Sequence, residues 1–162
     1  MKVICFHNPD EENGYLSNWY RSMFVINDLE FTSMEQYMMF SKATLFNDSE
    51  IASRIMKTTD VRRIKELGRR VRYFEEGVWV QNREQIIYKG LYAKFSQNAK
   101  LQDMLLKTGD SILAECAVKD KIWGIGLSMM DKRNQDIKEW KGLNLLGKNL
   151  MLVRDALRKN NG

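Results

Sequence analysis

The chain has 162 residues, of which 44% are hydrophobic and 29% charged, and its formal net charge is +5. This balance is typical of one globular domain with a sizeable core, and it excludes a disordered or low-complexity chain. The two cysteines have no CxxC spacing and His7 is the single histidine. These counts argue against a zinc site of the usual ligands and against a histidine-dependent nucleophile.

The sequence also predicts the cellular compartment of the protein. No apolar run is long enough to cross a bilayer, and the N-terminal residues lack a signal-peptide pattern. Cys5 and Cys116 each lie in an apolar, strand-like run, which is typical of buried thiols in a reducing compartment. We therefore expect a cytoplasmic protein with no membrane partner.

The first elements of the chain are predicted to be strands. Lys2–His7 alternates apolar residues and predicts a β-strand. Asn27-Asp28 separates the apolar runs Met23–Ile26 and Leu29–Phe31, a spacing that predicts a two-residue β-hairpin.

A helix is predicted to begin directly after this hairpin. Ser33 and Gln36 fit a capping box, which leaves Glu35 in the first turn without a capping role. Lys42 lies two turns later on an overlapping face that is rich in methionine and aromatic residues. Charged groups stay out of such a stripe unless they are paired or used. Two alternatives stay open: Thr32 caps the helix with Glu35 as its partner, or Glu35 merely favours the helix dipole while Lys42 reaches solvent.

The rest of the chain predicts more helices and one more strand. The segment Asn47-Asp48-Ser49 is predicted to cap a helix over Glu50–Lys57. Thr59 or Asp60 caps a helix that runs through Leu67, with Gly68 as its left-handed end. Further helical patterns start at Trp79, Asn98 and Asn144, and Ser111–Cys116 predicts a short strand. The predicted fold is α+β and predominantly helical: one compact domain over residues 1–162 with a small set of short β-strands.

Three carboxylates have apolar or aromatic neighbours, namely Glu35, Glu115 and Asp120. Two or three such acids in one cleft can cleave a glycosidic bond, because one activates water while another donates a proton or stabilises the oxocarbenium-like carbon. The alternative is that Glu115 and Asp120 pair with the nearby Lys119 and Lys121, or face solvent.

Two tryptophans are candidates for a pocket wall. Trp79 lies at a helix entrance and Trp123 in a glycine-containing loop, where an indole can stack on a planar base. The Gly124-Ile125-Gly126 sequence in that loop is a weak signal by itself.

One short stretch concentrates positive charge. Between Arg62 and Arg72 it carries six cationic residues and a single opposing acid, Glu66: Arg62, Arg63, Lys65, Arg69, Arg70 and Arg72. A solvated helix face explains such a run, and so does phosphate binding, to either a phosphorylated ligand or a nucleic acid.

Several sequence blocks together resemble the YbiA-like family, also called NADAR for NAD and ADP-ribose. The resemblance covers nearly the whole chain in order, through Leu16-Ser17-Asn18-Trp19, Phe31–Tyr37, Lys42-Ala43, Leu67-Gly68-Arg69, Trp79, Leu91–Phe95, Asp120–Leu127 and Gly142–Gly147. The segment 127–140 differs in length and content among members, so it is where we expect substrate choice to vary.

The resemblance implies an N-glycosidase that needs no metal or cofactor. Family substrates include phosphorylated pyrimidine ribosides of early riboflavin biosynthesis and ADP-ribose attached to guanine bases. The family's catalytic glutamate falls on Glu35, and Asp120 is the second catalytic candidate. The predicted substrate-binding residues are Asn18, Lys42, Gly68, Arg69, Trp79, Trp123 and Gly124.

The expected partner is a small nucleotide or ADP-ribose-type molecule, with ADP-ribosylated nucleic acid as a further candidate; the oligomeric state is left open. Two other functions compete with cleavage. The first is a module that binds ADP-ribose or a nucleotide without cutting it. The second is a nucleic-acid-binding protein that uses the Arg62–Arg72 patch.

Overall fold

The structure is a computed structural model that describes residues 1–161. Within these residues it contains six α-helices and four short strands, which is the predominantly helical α+β class predicted from the sequence. The strands are β1 (Val3–Phe6), β2 (Arg21–Ile26), β3 (Leu29–Ser33) and β4 (Ile112–Glu115). The helices are α1 (Met34–Leu45), α2 (Ser49–Met56), α3 (Val61–Arg69), α4 (Glu76–Ser96), α5 (Ala99–Leu106) and α6 (Leu145–Asn161).

The chain divides into two compact units. The terminal unit comprises Met1–Tyr20 and the residues from Asn98 onward, and the central unit comprises Arg21–Gln97. Each unit contains one two-stranded sheet, β1-β4 in the terminal unit and β2-β3 in the central unit. The single domain over residues 1–162 stays a prediction. In the described part of the chain, no helix combines the length and the apolar character that crossing a membrane requires.

The terminal unit is built on a parallel strand pair. β1 pairs with β4 so that Val3 lies opposite Ile112. Asn144, just before α6, joins that helix to β4: its side chain donates to the Leu113 carbonyl at 2.9 Å and accepts from the Glu115 amide at 3.0 Å. The sheet and the loop after it share one apolar cluster, formed by Val3, Ala114, Cys116, Ile125 and Leu127.

The central unit surrounds helix α1. The β2-β3 hairpin turns at Asn27 and Asp28, whose φ angles of 53° and 65° are those of the predicted two-residue turn. Helix α1 then packs against β3, α2, α3 and α4. Its buried residues lie on all sides of the helix, which is the pattern of a helix enclosed by neighbours.

The end of α3 differs from its prediction. Gly68 was expected to terminate α3 in the left-handed conformation, and this is wrong because α3 continues through Gly68 to Arg69. Glycine is required there for another reason: a β-carbon at Gly68 would collide with the sulfur of Met39 on α1. The absent side chain therefore allows α1 and α3 to approach closely. Helix α4 also begins earlier than predicted, at Glu76, so Trp79 lies inside it.

A buried carboxylate joins α2 to the segment after α3. Asp48 is fully buried and caps α2 by accepting from the Ile51 amide at 3.2 Å. It also accepts from the Arg72 amide at 2.8 Å and from Arg72 Nη2 at 3.0 Å. These hydrogen bonds from Arg72 lower the pKa of Asp48 to about 2.

The variant Asp48→Asn is expected to lower the melting temperature at neutral pH, because it leaves the Arg72 guanidinium without its carboxylate. The folded-state pKa of Asp48 is depressed, so its contribution is present above the ordinary value of 3.8 and is lost as the pH falls towards about 2. Melting curves of the two proteins should therefore converge on acidification. A difference that stays constant down to pH 2 would contradict this.

Candidate active site

In the first turn of α1, the residues that cap the helix are different from the candidate catalytic residue, Glu35. The Ser33 hydroxyl accepts from the Gln36 amide at 3.1 Å, as predicted. The Gln36 side chain accepts from the Thr32 amide at 2.8 Å, one residue before the cap, where the standard capping box would use the amide of Ser33. The bonds that cap α1 are thus made by Ser33 and Gln36. Glu35 lies between them with 4% of its surface exposed.

The ammonium of Lys42 is the centre of a small cluster in the central unit. It donates to the Gly68 carbonyl at 2.9 Å, and it lies 4.7 Å from the ring centroid of Phe74 and 6.0 Å from that of Trp79. Burial lowers the pKa of Lys42, the negative charge of Glu35 opposes this, and the positive charge of Arg69 lowers the pKa further.

The central unit therefore brings five predicted site residues together, around one ammonium: Glu35, Lys42, Gly68, Arg69 and Trp79. The alternative in which Lys42 simply extends into solvent is wrong, because its ammonium is bound to the Gly68 carbonyl. A carboxylate, two cations and an indole can hold an anionic, planar ligand and activate water beside it.

Three other predicted residues share one turn of the terminal unit. Asp120 Oδ1 accepts from the amides of Ile122 and Trp123 at 3.0 and 2.9 Å, so one carboxylate oxygen holds the turn. Gly124 follows, and a β-carbon there would lie only 2.9 Å from the Asp120 carbonyl oxygen. The second oxygen of Asp120 is left for other chemistry.

Glu115 lies beside this turn at the end of β4. Its Oε2 is 3.3 Å from Nδ1 of His7, so the sequence-based alternative of pairing with Lys119 or Lys121 is not what the structure shows. Burial raises the pKa of Glu115, the hydrogen bond to His7 opposes this, and the charge of Asp120 raises the pKa further. Asp120 thus belongs to a local set of titratable groups.

Asn18, the remaining predicted residue, carries an unsatisfied acceptor in the terminal unit. Only 8% of its surface is exposed, and its Oδ1 has no hydrogen-bond partner among residues 1–161. Buried side-chain oxygens are rarely left in this state, and a hydroxyl of a bound ligand would satisfy it.

The basic patch predicted over Arg62–Arg72 is partly neutralised. Arg63 lies 3.6 Å from Glu66, and Arg72 is committed to Asp48. Arg62 and Arg70 are exposed cations without an ion pair in the described chain. The patch available to a nucleic acid is therefore smaller than the sequence suggested.

Sequence reasoning missed Phe74, which contacts Lys42 directly. The signal for it was present in Tyr73-Phe74, two adjacent aromatic residues between charged neighbours in a connecting segment. Aromatic residues in such a segment have no helical or strand period to place them in a core, which is a reason to ask what else they contact.

A protein-family model matches most of the chain. The model of the NADAR domain family matches residues 5–158, which include every predicted site residue. The chain belongs to the NADAR domain family.

Relatives in this family share most of the chain. N-glycosidase R617 of Acanthamoeba polyphaga mimivirus is 40% identical over an alignment that covers 95% of each protein. The riboflavin biosynthesis protein VVA0006 of Vibrio vulnificus is 29% identical over 97% of this chain, which spans only 39% of that protein.

A solved structure has the same fold. The NMR structure of the E. coli protein YbiA matches with a TM-score of 0.81 at 27% identity, over 99% of this chain and 87% of YbiA. The resemblance to the YbiA-like family stated from the sequence blocks is confirmed by these matches.

Proposed function

We propose that this protein hydrolyses the bond between a ribose carbon and a nitrogen in a phosphorylated riboside or an ADP-ribosylated base. The protein is an enzyme of the N-glycosyl hydrolase class, in keeping with the NADAR family and with relatives that are named N-glycosidases. The observation that supports the proposal most directly is the burial of Glu35. This carboxylate is buried in the first turn of α1 while Ser33 and Gln36 cap the helix.

Glu35 acts as the general base in this mechanism. It takes a proton from water as the water oxygen attacks the anomeric carbon, and its negative charge stabilises the oxocarbenium-like ribose. The carbon–nitrogen bond breaks with its electron pair on nitrogen, and the departing base takes up a proton.

Lys42 and Arg69 hold the phosphate of the substrate. Burial is the main cause of the lowered pKa of Lys42, and the positive charge of Arg69 adds to it; a phosphate bound between the two cations would offset their repulsion. Trp79 offers an indole 6.0 Å from the same ammonium, and we assign it to the wall against the base.

Asp120 and Asn18 bind sugar hydroxyl groups. The free oxygen of Asp120 accepts from a ribose hydroxyl or orients the attacking water, while its partner oxygen keeps the turn in place. The unsatisfied Oδ1 of Asn18 accepts a further hydroxyl proton. Gly124 lets the backbone pass close to Asp120 at this turn.

The test is release of free base. The purified protein is incubated with a phosphorylated pyrimidine riboside and, separately, with ADP-ribosylated guanosine, and the base is detected by chromatography. Release from either substrate supports cleavage and identifies the class. Tight binding of both without release would contradict cleavage and favour the binding module.

The variant Lys42→Met is expected to raise the KM for a phosphorylated substrate by roughly 10- to 100-fold, because a hydrogen bond to a charged group contributes about 1.5–3 kcal/mol. The lowered pKa of Lys42 adds a pH signature. Phosphate binding should weaken as the pH rises through that pKa, below the ordinary value of 10.5, because the cation is lost.

The matched control is Lys89→Met, which removes an exposed lysine from α4. Its KM and pH profile should equal those of the wild type. An unchanged KM in Lys42→Met would remove Lys42 from the phosphate site.

A further inference from the structure

Two adjacent aromatic side chains are exposed beside the Lys42 cluster. Tyr73 has 77% of its surface exposed and Phe74 has 43%. They lie between α3 and α4, where neither belongs to a helix or strand. Aromatic side chains that are exposed to this extent are typical of contact with a ligand.

The backbone presents Tyr73 in a conformation that tyrosine rarely adopts. Its φ is +62°, and the other positive-φ, non-glycine residues of the described chain are all asparagine or aspartate. For a bulky side chain this conformation has a cost in conformational energy. The neighbouring Arg72 holds the segment in place through its hydrogen bonds to the buried Asp48.

Phe74 connects this exposed pair to the catalytic cluster. Its ring contacts that of Phe46, with centroids 5.3 Å apart and an interplanar angle of 60°, and the ammonium of Lys42 lies 4.7 Å from its centroid. Arg69 adds a second positive charge close to Lys42. Cations next to exposed aromatic rings match a nucleotide, since its phosphates meet the cations while its base stacks on the rings.

We propose that Tyr73 and Phe74 form a stacking platform for the second base of a diphosphate-bridged substrate, at the end remote from the bond that is cleaved. This inference rests on the proposed function and extends it to substrate choice. A riboside monophosphate has no second base and does not use the platform. An ADP-ribosylated base does, so the platform favours the ADP-ribose class of substrate.

Binding without turnover tests the platform. Affinities for ADP-ribose and for ribose 5-phosphate are measured by calorimetry with the wild type, Tyr73→Phe, Tyr73→Asn and Phe74→Leu. Asparagine accepts positive φ more readily than other side chains, so Tyr73→Asn removes the ring and keeps the backbone conformation. Phe74→Leu keeps apolar packing on Phe46 without an aromatic face.

Tyr73→Asn and Phe74→Leu are expected to weaken ADP-ribose binding by on the order of 10-fold, as base stacking on one aromatic ring predicts. Tyr73→Phe retains wild-type affinity for ADP-ribose, and ribose 5-phosphate binds equally to the wild type and to both Tyr73 variants. Wild-type ADP-ribose affinity in Tyr73→Asn, or equal affinity of the wild type for the two ligands, would overturn the platform. Base release is scored separately: its absence contradicts the proposed function, while the binding differences still decide the platform.

Discussion

The variant Glu35→Gln is expected to lower turnover by roughly 10²- to 10⁴-fold, the usual contribution of a general base. Glutamine has nearly the same shape, but it cannot accept a proton from water and carries no charge for the oxocarbenium-like ribose. Because Ser33 and Gln36 cap α1, the helix does not need the charge of Glu35 to begin where it does. The measurement is kcat for base release, with circular dichroism to confirm the fold.

Glu30→Gln provides the matched control. Glu30 is an exposed carboxylate on β3, five residues before Glu35, so the same chemical change there should leave kcat unchanged. Full activity of Glu35→Gln with an intact fold would reject Glu35 as the catalytic base, and with it the mechanism proposed above.

Asp120→Asn is expected to reduce kcat/KM by roughly 10- to 100-fold with little change in melting temperature. The expected loss corresponds to about 1.5–3 kcal/mol for a hydrogen bond that involves a charged group. Stability is retained because the amide oxygen of asparagine can still accept from the backbone amides of Ile122 and Trp123. Asp120→Ala removes the turn as well, so it should lose both activity and stability.

The control for Asp120 is Asp60→Asn. Asp60 is an exposed aspartate that accepts from the Arg62 amide at 3.0 Å in a similar local turn, and we assign it no chemistry. It should leave kcat/KM unchanged. If Asp120→Asn has full activity while Asp120→Ala is only unstable, the role of Asp120 is confined to its turn.

Short-range sequence patterns were enough to predict where α1, α2 and α3 begin. Ser33, Asp48 and Asp60 each accept a hydrogen bond from an amide two or three residues ahead, and each was a predicted or alternative cap. Such a bond closes within a few residues, so the residue type and its spacing are enough to predict it. The hairpin at Asn27-Asp28 is predictable for the same reason.

The reason why glycine occupies certain positions could be found only from the tertiary structure. Gly109, in the turn after α5, has a φ of +62°, and this left-handed conformation depends only on its neighbours along the chain. Gly68 and Gly147 are required because of distant contacts. An added β-carbon would collide with Met39 at Gly68 and with the Leu113 carbonyl at Gly147. A contact with a distant segment leaves no spacing signal in the sequence, so the local interpretation of Gly68 was wrong.

The candidate site was predictable in part. Glu35 and Lys42 occur on one helix, so their shared side follows from the helical period. The hydrogen bond from Lys42 to the Gly68 carbonyl and the contact of Lys42 with Phe74 join residues that are 26 and 32 positions apart in the chain. No pattern within α1 indicates them.

The amino-acid sequence by itself determined the α+β class, the family, the capped start of α1 and the identity of its buried acid, since caps, periods and ordered motif blocks depend on neighbours along the chain. Only the tertiary structure decided which groups surround the ammonium of Lys42, why Gly68 has no side chain, and that Tyr73 and Phe74 stand exposed beside the cluster. Those features arise where helices and loops distant in sequence pack together, and packing depends on the shapes of both partners.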